Sequence, residues 1–129
     1  MTKEDFTILI VDDDADIRDL LKLLLEHRGY TVHVAADGVD ALEQLQNGLR
    51  PKVILLDLMM PRMDGEQFLK RIRSTPFGKT PVVILSGHST AHKVAGELAV
   101  DHCLMKPVEF SELLKTVERF AGELENGAA

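Results

Sequence analysis

The sequence predicts an α/β fold: a (βα)5 doubly wound sandwich, with helices on both faces of a five-stranded parallel sheet of order 2-1-3-4-5. Three observations point there. Five short apolar runs alternate along the chain with segments whose apolar residues recur at helical spacing. The runs are more continuously apolar than alternating, as strands buried on both faces must be. Right-handed crossovers leave few arrangements for such a chain, and the expected order puts strands 1 and 3 side by side at a switch point.

The elements follow in turn. "TILIV", Thr7–Val11, is the first strand. Ile17, Leu20, Leu21, Leu24 and Leu25 then share a helix face, with Asp14 placed to cap its start and Gly29 to end it. "TVHVA", Thr31–Ala35, is the second strand, and Asp37 caps a helix carrying Val39, Leu42 and Leu45 on one face. "KVILL", Lys52–Leu56, is the third strand, and Phe68, Leu69 and Ile72 mark the third helix. "PVVIL", Pro81–Leu85, is the fourth strand, followed by a weaker helical pattern through Val94, Leu98 and Ala99. "HCLM", His102–Met105, is a short fifth strand, and the last helix carries Phe110, Leu113, Leu114, Val117, Ala121 and Leu124.

Composition narrows the class. A chain of 129 residues, 45% hydrophobic and 28% charged, suits one globular domain spanning 1–129. No apolar run is long enough to cross a membrane, and "MTKEDF" has no signal-peptide character. The single cysteine, Cys103, excludes an intramolecular disulfide and fits a cytoplasmic location. A net charge of −6 argues against direct nucleic acid binding. The chain ends soon after the last helix, which leans toward a complete single-domain protein.

"VILLDLMMPRMDG" raises the functional question, because an apolar strand runs into an acid, Asp57, before a loop holding Pro61 and Gly65. In a doubly wound sheet the site lies beyond the carboxyl ends of the strands, beside the switch point. Strand 1 ends in Asp12, Asp13 and Asp14, strand 3 in Asp57, strand 4 in Ser86 and strand 5 in Lys106; strand 2, at the edge, ends in Ala35 and Ala36. Each has an ordinary reading as a turn, cap or surface residue, and Asp14 is assigned to the cap. The combination is more specific. Three gathered carboxylates repel one another and need a cation or raised pKa values. An oxygen-only ligand set suits Mg²⁺, with the Met59 backbone carbonyl a further donor. The five histidines and Cys103 lack metal-ligand spacing, and neither a G-x-x-x-x-G-K nor a G-x-G-x-x-G motif occurs, which argues against a bound nucleotide.

"ILIVDDD", "LLDLMMPRMDG", "VVILSG" and "LMKP" resemble, in order and spacing, the receiver domains of two-component response regulators, from about Thr7 to Leu124. The resemblance implies a flavodoxin-like fold and an Asp57 that accepts a phosphoryl group from a phosphohistidine on a sensor histidine kinase or phosphotransfer protein. It implies Mg²⁺ held by Asp12, Asp13, Asp57 and the Met59 carbonyl. It further implies a Ser86 hydroxyl on the phosphoryl oxygen, an ion-pairing Lys106 and a cis Lys106–Pro107 bond. The implied protein is a switch more than an enzyme. It would meet its downstream target through the face of the fourth helix, fifth strand and fifth helix, with a homodimer as one form.

Two positions depart from the family pattern. Cys103 stands where a switching Tyr or Phe is usual, and Val108 replaces the Phe of K-P-F. Cys103 is expected to be buried and to change little, with activation read out through the Ser86–His92 loop and the surface of the fourth helix; the alternative is that Phe110 takes over the ring's role. An alternative reading is a phosphatase of the haloacid-dehalogenase type with its nucleophile at Asp12, which leaves Asp57 unexplained. A third is a degenerate receiver that serves only for docking, against which the complete acidic set counts.

Overall fold

The computed structural model describes residues 5–58, 60, 63–75, 79–86 and 102–126, with side chains through 121. The described elements are β1 (Thr7–Val11), α1 (Ala15–His27), β2 (Thr31–Ala35), α2 (Gly38–Gln46), β3 (Val53–Asp57), α3 (Gly65–Arg73), β4 (Val82–Ser86), β5 (His102–Met105) and α4 (Phe110–Asn126). The predicted helix through Val94, Leu98 and Ala99 and the Ser86–His92 loop beyond Ser86 lie outside the described residues, as does the Leu124 side chain.

The five strands form one sheet of order β2-β1-β3-β4-β5, and every pairing is parallel. That is the predicted doubly wound topology. Successive strand side chains point to opposite faces, so each strand feeds two cores. Ile8, Ile10, Leu55, Val83 and Leu85 pack on Leu21 and Leu25 of α1 and on Leu113 and Val117 of α4. Leu9, Val11, Ile54, Leu56 and Ile84 pack on Leu42 and Leu45 of α2 and on Phe68, Leu69 and Ile72 of α3. This double burial is why the strands read as unbroken apolar runs. Each fully buried Leu or Ile contributes about 1.5–3 kcal/mol from apolar area alone.

Helix starts and stops follow the local chemistry. The Asp14 carboxylate accepts from the N–H groups of Asp16 and Ile17, and Asp37 accepts from Asp40. Gly29 follows the end of α1 at φ 99°, and its N–H donates to the Glu26 carbonyl. Asp64 and Gln67 form a reciprocal capping box at α3.

Three details differ from expectation. β3 and β4 each run one residue later than the predicted apolar runs, with Asp57 and Ser86 as their last residues. Pro81 has no N–H for the ladder and joins it only through its carbonyl, which accepts from Ile54. Leu20 is 55% exposed, because α1 buries Leu21 and Leu25 and leaves Leu20 on the flank of its stripe. Cys103 is half-buried, not buried, and packs against the α2–α3 core. It lies on β5, the edge strand, which among the described residues has only β4 beside it.

Candidate functional site

β1 and β3 are neighbours, and both end at the same rim of the sheet. The acids that follow them in sequence are therefore brought together by register. Asp12 is fully buried and Asp57 nearly so. Carboxylate oxygens of Asp12, Asp13 and Asp57 all lie within 4.8 Å of one another, with Asp13 the exposed member. β4 and β5 add the remaining predicted residues. Ser86, buried at the end of β4, gives its backbone carbonyl to the Lys106 N–H at 3.0 Å. Lys106 thus leaves β5 facing the acids, and the Lys106–Pro107 peptide is cis.

The Lys106 ammonium lies 2.9 Å from Asp12 Oδ2 and 3.4 Å from Asp57 Oδ2. Burial by itself lowers the pKa of this ammonium. The hydrogen bond and charge of Asp12, followed by the charge and hydrogen bond of Asp57, outweigh that effect, and the pKa stands above its ordinary value. Lys106 is therefore a cation bridging two buried carboxylates. Asp12 is held at each of its side-chain oxygens, since Oδ1 accepts the Asp14 N–H at 2.9 Å while Oδ2 accepts Lys106. The phosphatase reading would need Asp12 as the nucleophile, and both of its side-chain oxygens are already taken by hydrogen bonds.

Asp57 is positioned from its own backbone outward. The Gly65 N–H donates to the Leu58 carbonyl at 3.0 Å, so α3 begins directly against the end of β3. A Cβ on Gly65 would collide with the Asp57 carbonyl oxygen and come within 2.7 Å of Leu58 Cα. Glycine is required there by close approach. On the other side, the Met63 carbonyl accepts from the Gly38 N–H at 3.2 Å, which ties the β3–α3 connection to the start of α2.

The donor set fits a hard divalent cation. Two oxygens on an octahedral Mg²⁺ stand about 3 Å apart when adjacent and about 4.2 Å apart when opposite. The three carboxylates need to move little to meet those spacings, and the Lys106 ammonium offsets part of their charge. Asp12, Asp13 and Asp57 are the acidic cluster among the described residues; the Met59 carbonyl, the fourth predicted ligand, lies outside them. Cys103 stays apart from this cluster, with burial pushing its thiol pKa up.

One contact at the site had no place in the sequence argument. The Arg18 guanidinium donates from Nη1 to the Asp12 backbone carbonyl at 2.8 Å. The only signal for it was a cation six residues after Asp12, on a helix otherwise notable for its leucines.

Comparisons with known proteins agree with this fold. The model for the response regulator receiver domain matches residues 8–118. The response regulator MprA of Mycobacterium ulcerans is 42% identical over 108 residues, 83% of this chain and 46% of the relative. The chain therefore spans about half the length of the curated relatives it matches. Among solved structures, the chemotaxis protein CheY4 of Vibrio cholerae superposes with TM-score 0.81 at 34% identity, covering 89% of this chain and 98% of that one. The signal receiver domain of a signal transduction histidine kinase from Syntrophus aciditrophicus gives TM-score 0.84 at 28% identity, covering 94% and 93%.

Proposed function

Because the chain belongs to the response regulator receiver domain family, we propose that Asp57 is the phosphoacceptor through which it takes part in two-component signalling. The observation that carries this reading is the cluster itself. Asp57 is a buried strand-end carboxylate 3.4 Å from the Lys106 ammonium and within 4.8 Å of the oxygens of Asp12 and Asp13.

The donor is a phosphohistidine on a sensor histidine kinase or phosphotransfer protein. An Asp57 oxygen attacks the phosphorus, a new O–P bond forms, the N–P bond breaks, and its electron pair stays on the imidazole nitrogen. Asp57 does this as a carboxylate, so no base is needed. Transfer of this kind asks for positioning and charge neutralisation. Lys106 supplies a cation beside the transferred oxygens, and the Ser86 hydroxyl a donor at the end of the adjacent strand. Asp12, Asp13, Asp57 and the Met59 carbonyl are the residues that would hold Mg²⁺, which when bound offsets charge on the phosphoryl oxygens.

The domain is a signalling switch. The phosphoryl group gives Lys106 a new anionic partner in competition with Asp12, which draws on the β5–α4 junction. The downstream target meets the face of β5 and α4, with a homodimer as one outcome and without direct nucleic acid contact. Since Cys103 cannot swing an aromatic ring, the signal runs through the residues after Ser86. The whole of 1–129 serves as one receiver, in the cytoplasm; no helix among the described residues is long and apolar enough to cross a membrane.

The test is phosphorylation by acetyl phosphate with Mg²⁺, read by intact mass. Wild type gains one phosphoryl group and Asp57→Asn gains none. Label mapped to Asp12 would overturn the assignment in favour of the phosphatase chemistry.

A further inference from the structure

We infer that Arg18 is a positioning residue for the divalent-cation site, acting through the backbone of Asp12 on the carboxylate of Asp13. The inference rests on the Mg²⁺ reading above and adds to it a residue that touches neither metal nor phosphoryl group.

The Asp12 N–H is satisfied by the Ala35 carbonyl at 3.2 Å, the last rung of the β1–β2 ladder. Its own carbonyl lies beyond that ladder on a residue that is fully buried. A buried carbonyl needs a donor, and Arg18 supplies one at 2.8 Å from a half-buried position on α1. The Arg18 N–H in turn donates to the Asp14 carbonyl at 3.0 Å, so the residue is anchored in the first turn of the helix whose guanidinium reaches back.

The peptide between Asp12 and Asp13 is planar. Holding the Asp12 carbonyl therefore sets the direction of the Asp13 N–H and the position of the Asp13 Cα. Asp12 already has its carboxylate fixed by Lys106 and by the Asp14 N–H. Asp13 is exposed, so its place in the cluster depends on the backbone that carries it. Outer groups that orient metal ligands in this way typically influence affinity by about 10–100-fold.

The charge of Arg18 acts in the opposite direction. A guanidinium close to a cation site repels Mg²⁺, so loss of charge alone would tighten binding. Isothermal titration of MgCl₂ into wild type, Arg18→Met and Asp13→Ala separates the two roles, with far-UV circular dichroism in EDTA as the fold control. Arg18→Met is expected to bind Mg²⁺ on the order of 10-fold more weakly than wild type. Its phosphorylation by acetyl phosphate should recover as Mg²⁺ approaches saturation. Arg18→Gln, also free of charge and too short for the same reach, carries the same expectation where Arg18→Met does not fold. Unchanged or tighter Mg²⁺ binding in these variants, with Asp13→Ala still impaired, overturns the role of Arg18 and leaves the metal reading standing. Wild type that binds no Mg²⁺ overturns both.

Discussion

Lys106 is the residue on which the resting site depends. Its ammonium stands between two buried carboxylates, so replacing it by Met leaves Asp12 and Asp57 buried beside each other without that cation. Removing one partner of a buried ion pair is costly. Lys106→Met is expected to lose about 3 kcal/mol in urea unfolding measured in EDTA, with part of the loss restored by Mg²⁺. The pH dependence has a definite sign. Burial lowers the Lys106 pKa, but Asp12 and then Asp57 raise it further, and the net shift is upward from 10.5. A raised folded-state value means that the stabilisation is complete below 10.5 and disappears as pH rises through the higher folded value. The stability curves of wild type and Lys106→Met should therefore converge in that alkaline range. A constant gap across it would show that the ion pair is not the source of the difference.

Among the elements, the junction of β3 and α3 couples packing to chemistry. Gly65 starts α3 against the backbone of Asp57 and Leu58, with no room for a Cβ. Gly65→Ala must push the helix away from the strand that carries the acceptor. The expected cost is about 1–3 kcal/mol, the usual range for overpacking, together with slower phosphorylation of Asp57 at saturating Mg²⁺. Asp14→Ala makes an instructive contrast. It removes the cap of α1, worth about 1 kcal/mol, but keeps the Asp14 N–H that holds Asp12 Oδ1. Phosphorylation should survive it. Equal rates in wild type and Gly65→Ala would mean that the junction is structural only.

At the scale of the whole molecule, the site works against the fold that builds it. Two apolar cores hold the sheet from either side, while three carboxylates are crowded at its rim. Asp13→Ala is expected to raise the melting temperature in EDTA by relieving like-charge repulsion, and to remove the stabilisation that Mg²⁺ confers. For wild type that stabilisation should approach about 2.7 kcal/mol at a cation concentration of 100 Kd. Thermal melts with and without Mg²⁺ check both halves. A melting temperature of Asp13→Ala that still rises with Mg²⁺ as wild type does would remove Asp13 from the ligand set.

Much of this molecule was legible in its residues. Hydrophobic period, Asp caps and crossover handedness led to the sheet order, because each is a local or near-local rule that the chain obeys wherever it lies. The candidate site was legible for a related reason: in a doubly wound sheet, strand ends converge, so Asp12, Asp57, Ser86 and Lys106 could be gathered before any distance was known. What only the tertiary structure decided were matters of relative placement. Lys106 chooses Asp12 as its nearer partner, Cys103 stays half-exposed because β5 is an edge, and Leu20 falls off the buried stripe of its helix. The reach of Arg18 to the Asp12 carbonyl belongs with these. A charged side chain on a helix has many acceptors open to it, and no spacing rule names which one it takes; that choice is made when β1 and α1 pack and a buried carbonyl needs a donor.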